Sequence, residues 1–328
     1  MKKNYYLFKS GRVRRKDNTI ALEREGQRTL FIPVEKIESI SIFGEVDLNT
    51  RLLSFLSQKE VTLHIFNHAG WYCGSFTPRR TKVSGKLLLE QVKAFFDPGR
   101  RLQIAVAFID AAMHNMLRIV QRSSDKIGQQ KRAVDLMADL KANLSSAGSV
   151  NHLMALEGNY RQEYYRLLAQ LSGQEFDKRE KQPPKGKLNC LISFGNTLLY
   201  SRVLNKIYQT HLDPTISYLH EPCEMRFSLA LDISEALKPI IVDRLIISIC
   251  NRNIIAEDDY DEDLNKTLLN ESGKRKFIEN YESRLSETVF YPSLKRKVSY
   301  DTLIKTECYR LIRALLSDEE FKAIHMWW

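Results

Sequence analysis

"VTLHIFNHAGWYCGSFTPRRTKVSGKLLLEQVKAFF", residues 61–96, holds the change of period that decides the fold. Its first seven residues are mostly β-branched, aromatic or aliphatic and read as a strand; from Lys86 the apolar residues recur at helical spacing. Working back from there, "KNYYLFKS", "GRVRRKD", "TIALER", "TLFIPV" and "IESISIFG" are short strand-like runs set off by Gly, Asn or charged breaks. One helix interrupts them, "LNTRLLSFLSQK", with Asn49 or Thr50 as its cap. Working forward, "RLQIAVAFIDAAMHNMLRIVQ", "SVNHLMALEGNYRQEYYRLLAQLSG", "KLNCLISFGNTLLYSRVLNKIYQT", "IIVDRLIISICNRNII" and "DTLIKTECYRLIRALLS" all carry the helical period. "EKQPPKGK" breaks the helices near residue 184, and "AEDDYDED" near residue 260 is expected as an exposed loop or cap. The expected fold class is therefore α+β: a small N-terminal β domain over residues 1–78, a basic linker over 79–85 and a large all-α domain over 86–328.

The 328 residues are 43% hydrophobic, enough for a proper core and too many for a disordered chain. No run of about 18 apolar residues exists to span a membrane, and the first residues lack the apolar centre of a secretory signal. Cys73, Cys190, Cys223, Cys250 and Cys308 stand far apart with no C-x-x-C pair, which argues against a disulfide framework or zinc site and fits a reducing cytoplasm. The net charge of +10 points to a polyanionic partner. Between Trp71 and Arg101, seven basic residues face two acids. Further basic clusters are Lys178, Arg179, Lys181, Lys185, Lys187 and then Lys295, Arg296, Lys297; each also reads as an ordinary solvated surface.

Three carboxylates fall where apolar residues are expected. In "SVNHLMALEGNYRQEYYRLLAQLSG" the stripe Leu153, Leu156, Tyr160, Tyr164, Leu167, Leu171 contains Glu157. Gly158 follows it, and a mid-helix glycine suggests close approach by another group. In "FSLALDISEALKP" Asp232 and Glu235 are three apart and share one side of a helix that is apolar nearly all round. His220 lies just upstream, across a turn at Pro222. One imidazole with two or three carboxylates is a hard ligand set suited to Mg²⁺ or Mn²⁺. Salt-bridged edge acids and a loop histidine are the ordinary alternatives, and the residues alone leave both open. Glycine loops for phosphates and a Ser-His-Asp order are absent.

The chain resembles the Cas1 family, the CRISPR-associated endonuclease and spacer-acquisition integrase. The resemblance runs over essentially the whole length, through "SGRVRRKDNTIAL", "VTLHIFNHAGWYCGSFTP", "ALEGNYRQEYY", "QPPKGKLNCLISFGNTLLYS", "LDPTISYLHEP" and "FSLALDISEALKPIIVD". It implies an N-terminal β domain and a helical catalytic domain. It implies a metal held by Glu157, His220 and Glu235 as catalytic residues, with Asp232 close to the metal in a supporting role. It also implies Mg²⁺ or Mn²⁺ as cofactor, phosphoryl transfer on double-stranded DNA (prespacer and CRISPR repeat), dimerisation through the β domain, and assembly with a Cas2 dimer. The basic residues Arg79, Arg80, Lys82, Lys178, Arg179, Lys185, Lys187, Lys238, Lys295, Arg296 and Lys297 would then grip the DNA backbone. One of Tyr160, Tyr164 and Tyr165 would stack on a DNA end, the others packing in the core. His211 and Ser217 stand where the family often has Gly. Lys238 stands where it often has Arg, keeping the charge without the guanidinium fork. The other readings are a metal nuclease acting on branched DNA in repair and, from another class, a basic DNA-binding module without chemistry.

Overall fold

The computed structural model describes residues 2–79, 82–122, 130–224, 226–292, 295–317 and 319–327. The chain forms two compact units, Met1–Val83 and Ser84–Trp328.

Among its described residues, the first unit holds two four-stranded sheets and one α-helix. One sheet runs in the order β1 (Lys3–Leu7), β5 (Ile37–Ile42), β7 (Thr62–Phe66), β8 (Tyr72–Phe76). The other runs β4 (Leu30–Pro33), β3 (Thr19–Glu23), β2 (Gly11–Lys16), β6 (Val46–Asp47). β5 and β7 pair in parallel, which a tight turn cannot connect; helix α1 (Thr50–Gln58) makes the crossover. Its cap is Asn49, whose side chain accepts from Leu52 N at 2.9 Å. Leu52, Phe55 and Leu56 of α1 close the core with Ile37, Ile40 and Leu63. All six strand-like runs of the sequence form strands. β8 was not among them: "YCGSF" has weak strand character, and antiparallel pairing with β7 supplies what propensity does not. β6, two residues long, is too short to leave a period.

The second unit is built of α2 (Gly85–Phe96), α3 (Pro98–Arg122), α4 (Gln130–Ala142), α5 (Val150–Ser172), α6 (Lys187–Tyr208), α7 (Ser228–Lys238), α8 (Arg244–Asn251), α9 (Glu271–Ser286) and α10 (Tyr300–Leu316). The α+β class holds, but this largely helical unit is not all-α. It carries two hairpins, β9 (Tyr260–Asp263) with β10 (Lys266–Leu269) and β11 (Thr288–Tyr291) with β12 (Arg296–Ser299). The first corrects the loop expectation at "AEDDYDED". Asp259 is buried there, accepting from Ala256 N and Lys276 Nζ, and the chain after it becomes a strand.

α7 sits at the centre, packed on α3 and α6. Pro239, with no N–H to give, ends it, and residues Pro239–Asp243 continue as a π-turn before α8. Arg244 N bonds to Pro239 O across this turn, so the Ile240 carbonyl loses its usual helical partner. Arg284 supplies one, donating from Nη2 at 2.7 Å and Nε at 3.2 Å. Asn115 of α3 donates to Ala236 O at 2.8 Å and Ile324 O at 2.9 Å, and accepts from Met326 N at 2.8 Å. One amide thus ties α7 to the segment 319–327 that follows α10.

Candidate metal centre

α5 is a long helix with both ends fixed: the Ser149 side chain accepts from His152 N at 3.2 Å, and Gly173 closes it at φ 64°, a left-handed position suited to glycine. Between them the buried face runs Leu153, Glu157, Tyr160, Tyr164, Leu167, with Leu156 only half-buried beside it. Glu157 therefore lies inside the stripe, 9% exposed. Arg161, one turn on, lies on the same face. The glycine reading needs correcting: a Cβ at Gly158 would meet nothing within 4 Å, so packing within the chain does not demand it. The stacking reading of the tyrosines does not fit their burial. Tyr160, Tyr164 and Tyr165 are all in the core, with Tyr160 Oη donating to Met113 O at 2.7 Å and Tyr164 Oη to Asp243 Oδ2 at 3.0 Å.

α7 contributes Asp232, fully buried, and Glu235, 4% exposed. Asp232 Oδ2 accepts from Tyr218 N at 2.7 Å and Leu219 N at 3.0 Å; Oδ1 accepts from His220 N at 3.0 Å and lies 2.8 Å from His220 Nδ1. Four contacts occupy the lone pairs a carboxylate has to give, so Asp232 shapes the loop rather than reaching outward. Its bond to Nδ1 turns Nε2 toward Glu235, whose Oε1 is 3.9 Å away. Ser217, one of the departures from the family's glycines, is buried and donates to His220 O at 2.6 Å, tightening the same turn.

Glu157 and Glu235, from different helices, meet on one guanidinium: Arg161 donates to both. Lys238 Nζ lies 2.6 Å from Glu235 Oε1. Burial alone would raise the Glu235 carboxyl, but Arg161 and Lys238 outweigh it and hold it well below the usual carboxylate range. At Asp243, on the π-turn, burial wins and pushes the carboxyl up to about 6, against the downward pull of the Tyr164 hydroxyl and Arg161. Lys181 is held below the usual range, first by partial desolvation and then by the cations Lys238, Arg179 and Arg161 around it.

The residues fit a divalent cation in kind: two buried carboxylates held by cationic side chains and an imidazole whose Nε2 faces one of them, Glu235. Among the described residues, no three His, Cys, Asp or Glu side chains form a ready-made cluster. Arg161 stands between Glu157 and Glu235.

The basic residues singled out in the sequence divide. Arg79, Lys82, Lys178, Lys185, Lys295, Arg296 and Lys297 are exposed, and Arg80 lies outside the described residues. Arg179 turns inward, donating to Asn189 Oδ1 at 3.0 Å and Ser193 Oγ at 2.9 Å. Lys187 pairs with Glu257, and Lys238 with Glu235. Sequence reading missed Arg161 and Asp243. Arg161 was visible as a basic residue four after Glu157 on the same stripe, and Asp243 as an acid inside the apolar run "KPIIVD".

The family described as CRISPR associated protein Cas1 matches residues 5–283. A CRISPR-associated endonuclease Cas1 of Thermodesulfovibrio yellowstonii is 44% identical over 331 residues, spanning 99% of this chain and 100% of that protein. The solved structure of a Cas1 protein from Thermotoga maritima is similar at a TM-score of 0.88 and 42% identity, covering 98% of this chain and 100% of that one. A casposase bound to integration product shares the fold at a TM-score of 0.85 and 21% identity, covering 98% and 92%.

Proposed function

The chain belongs to the Cas1 family, and on that premise we propose that it is a metal-dependent DNA endonuclease and integrase that inserts spacer DNA into a CRISPR array. The observation that carries this reading is the meeting of Glu157 and Glu235, buried carboxylates from two helices, on one guanidinium, with a His220 ring whose Nε2 Asp232 turns toward Glu235. Buried acids so placed are costly unless a cation neutralises them; Arg161 and Lys238 do so here, and a divalent ion would do the same with two charges. Glu157, Glu235 and His220 Nε2 are the residues that would hold Mg²⁺ or Mn²⁺. Bound there, the cation would polarise a phosphoryl oxygen and stabilise the charge that develops on it.

The chain's own residues do the rest. Asp232 keeps Nδ1 of His220 occupied, so the ring presents Nε2, and not Nδ1, on the side of Glu235. Lys181 and Lys238 put positive charge beside Glu235, where a phosphodiester must come. In strand transfer a 3′-hydroxyl of the incoming fragment attacks the phosphodiester at the edge of a repeat. The new P–O bond forms, the old one breaks, and the strand on the 5′ side of the break leaves as a free 3′-hydroxyl, its oxygen gaining a proton as the attacking hydroxyl loses one. In nicking, water takes the place of the attacking hydroxyl. Double-stranded DNA is the substrate and backbone partner. The β unit is proposed as the dimer interface, a Cas2 dimer as the assembly partner and the cytoplasm as the compartment. Among the described residues, no helix is long and apolar enough to cross a membrane.

The test is integration of a labelled duplex into a supercoiled plasmid bearing a CRISPR repeat, with and without Mn²⁺ and Cas2. Transfer should require both additions and the repeat. Glu157→Ala should abolish transfer and nicking while leaving duplex binding largely intact. Cleavage of branched DNA without repeat-directed transfer would favour a repair nuclease. Wild-type activity of the variant at saturating Mn²⁺ would remove Glu157 from the site.

A further inference from the structure

We propose that Arg161 sets the metal affinity of this centre, by competing with the divalent cation for Glu157 and Glu235. The proposal rests on those two carboxylates being ligands. Arg161 Nε donates to Glu157 Oε1 and Nη2 to Glu235 Oε2. All three side chains are deeply buried, 15%, 12% and 5% exposed respectively for Arg161, Glu157 and Glu235. The guanidinium fork reaches across from α5 to α7 and joins carboxylates that belong to different elements. A divalent cation between these helices does the same work with two charges in place of one. A cation held by both carboxylates therefore meets the guanidinium at Glu157 Oε1 and Glu235 Oε2, and its charge and size press Arg161 to give up at least one of them.

Two further interactions define the role. Arg161 Nη1 also donates to Tyr165 Oη at 3.3 Å, which retains the guanidinium on its far side when it releases a carboxylate. An arginine guanidinium keeps its charge at any ordinary pH, so the group stays cationic whether or not it is paired. A fixed positive charge among the ligands opposes a second cation by simple repulsion. Lys238 opposes it too, but touches Glu235 from the end of a flexible, half-buried stem. Arg161 is thus a positioning residue. It holds the two carboxylates together, and that hold must be broken each time the cation binds.

The test uses the full chain and Mn²⁺ alone. Mn²⁺ is titrated by calorimetry into wild type, Arg161→Gln, Arg161→Lys and Glu235→Gln, and melting is followed in EDTA and in saturating Mn²⁺. Arg161→Gln should bind Mn²⁺ about tenfold more tightly, opposite in sign to the loss that follows damage to a supporting partner. It should melt below wild type in EDTA, and Mn²⁺ should close the gap. Arg161→Lys keeps the charge without the fork, so its affinity should rise by a smaller factor; this variant carries the test if the glutamine form does not fold. Equal or weaker Mn²⁺ binding by these variants, with Glu235→Gln losing the metal, overturns the competition and leaves the ligands standing. Glu235→Gln titrating like wild type overturns the ligand assignment itself.

Discussion

Asp232 and Glu235 are three residues apart on one helix and yet have different work. Asp232 is saturated by three backbone N–H groups and the His220 ring, whereas Glu235 meets the cationic side chains of Arg161 and Lys238. Glu235→Gln should therefore abolish both Mn²⁺ binding and integration. Asp232→Asn keeps an oxygen for the loop but puts an NH₂ where a donor already points. It should weaken Mn²⁺ binding about 10- to 100-fold through the misoriented ring, without abolishing it. Calorimetry on the two variants checks this, and equal, complete loss in both would make Asp232 a direct ligand. The sequence held both carboxylates in plain view because acids on an apolar helix break its period. It could not rank them, since rank depends on the loop that Asp232 gathers from 12 to 14 positions away.

The same division runs through the elements. Long helices such as α5 and α10 announced themselves by period, and the two-unit architecture followed. The hairpins β9–β10 and β11–β12 did not, because four-residue strands such as "YDED" and "RKVS" are made by pairing with a neighbour rather than by composition. Nor did the segment 319–327, whose order comes from partners far upstream. There Glu307, buried in α10, accepts from Ile324 N at 3.0 Å. Burial pushes its carboxyl up to about 7, against Arg310, from an ordinary 4.5. The native state thus keeps a proton that the unfolded chain releases first. This contribution to stability is intact below about pH 4.5 and is lost as pH rises through about 7. A shift of that size corresponds to about 3 kcal/mol at most. Glu307→Gln cannot ionise, so relative to wild type it should gain stability between pH 5 and pH 8. Urea unfolding at the two pH values checks this; a constant difference would mean that Glu307 does not titrate in that window.

Across the molecule, the proposed grip on DNA is a matter of summed charge. The chain carries +10, and Lys295, Arg296 and Lys297 are exposed together at the β11–β12 hairpin, while Arg179, Lys187 and Lys238 are engaged within the protein. Reversing Lys295, Arg296 and Lys297 to Glu should weaken duplex binding to unrelated sequences alike. The log–log salt slope should fall by roughly 0.9 for each phosphate no longer neutralised. Fluorescence anisotropy over a salt series measures both, and an unchanged slope would return the hairpin to plain solvated surface.

The amide of Asn115 joins partners 121, 209 and 211 positions away along the chain. During vectorial synthesis, α3 and α7 leave the ribosome long before Ile324 and Met326 exist. The helix that bears Glu235 therefore waits, one of its anchors half-tied, until nearly all of the second unit has emerged. Contacts of such span form slowly. The last anchor of the helix that bears Glu235 is therefore also among the last parts of the second unit to be made.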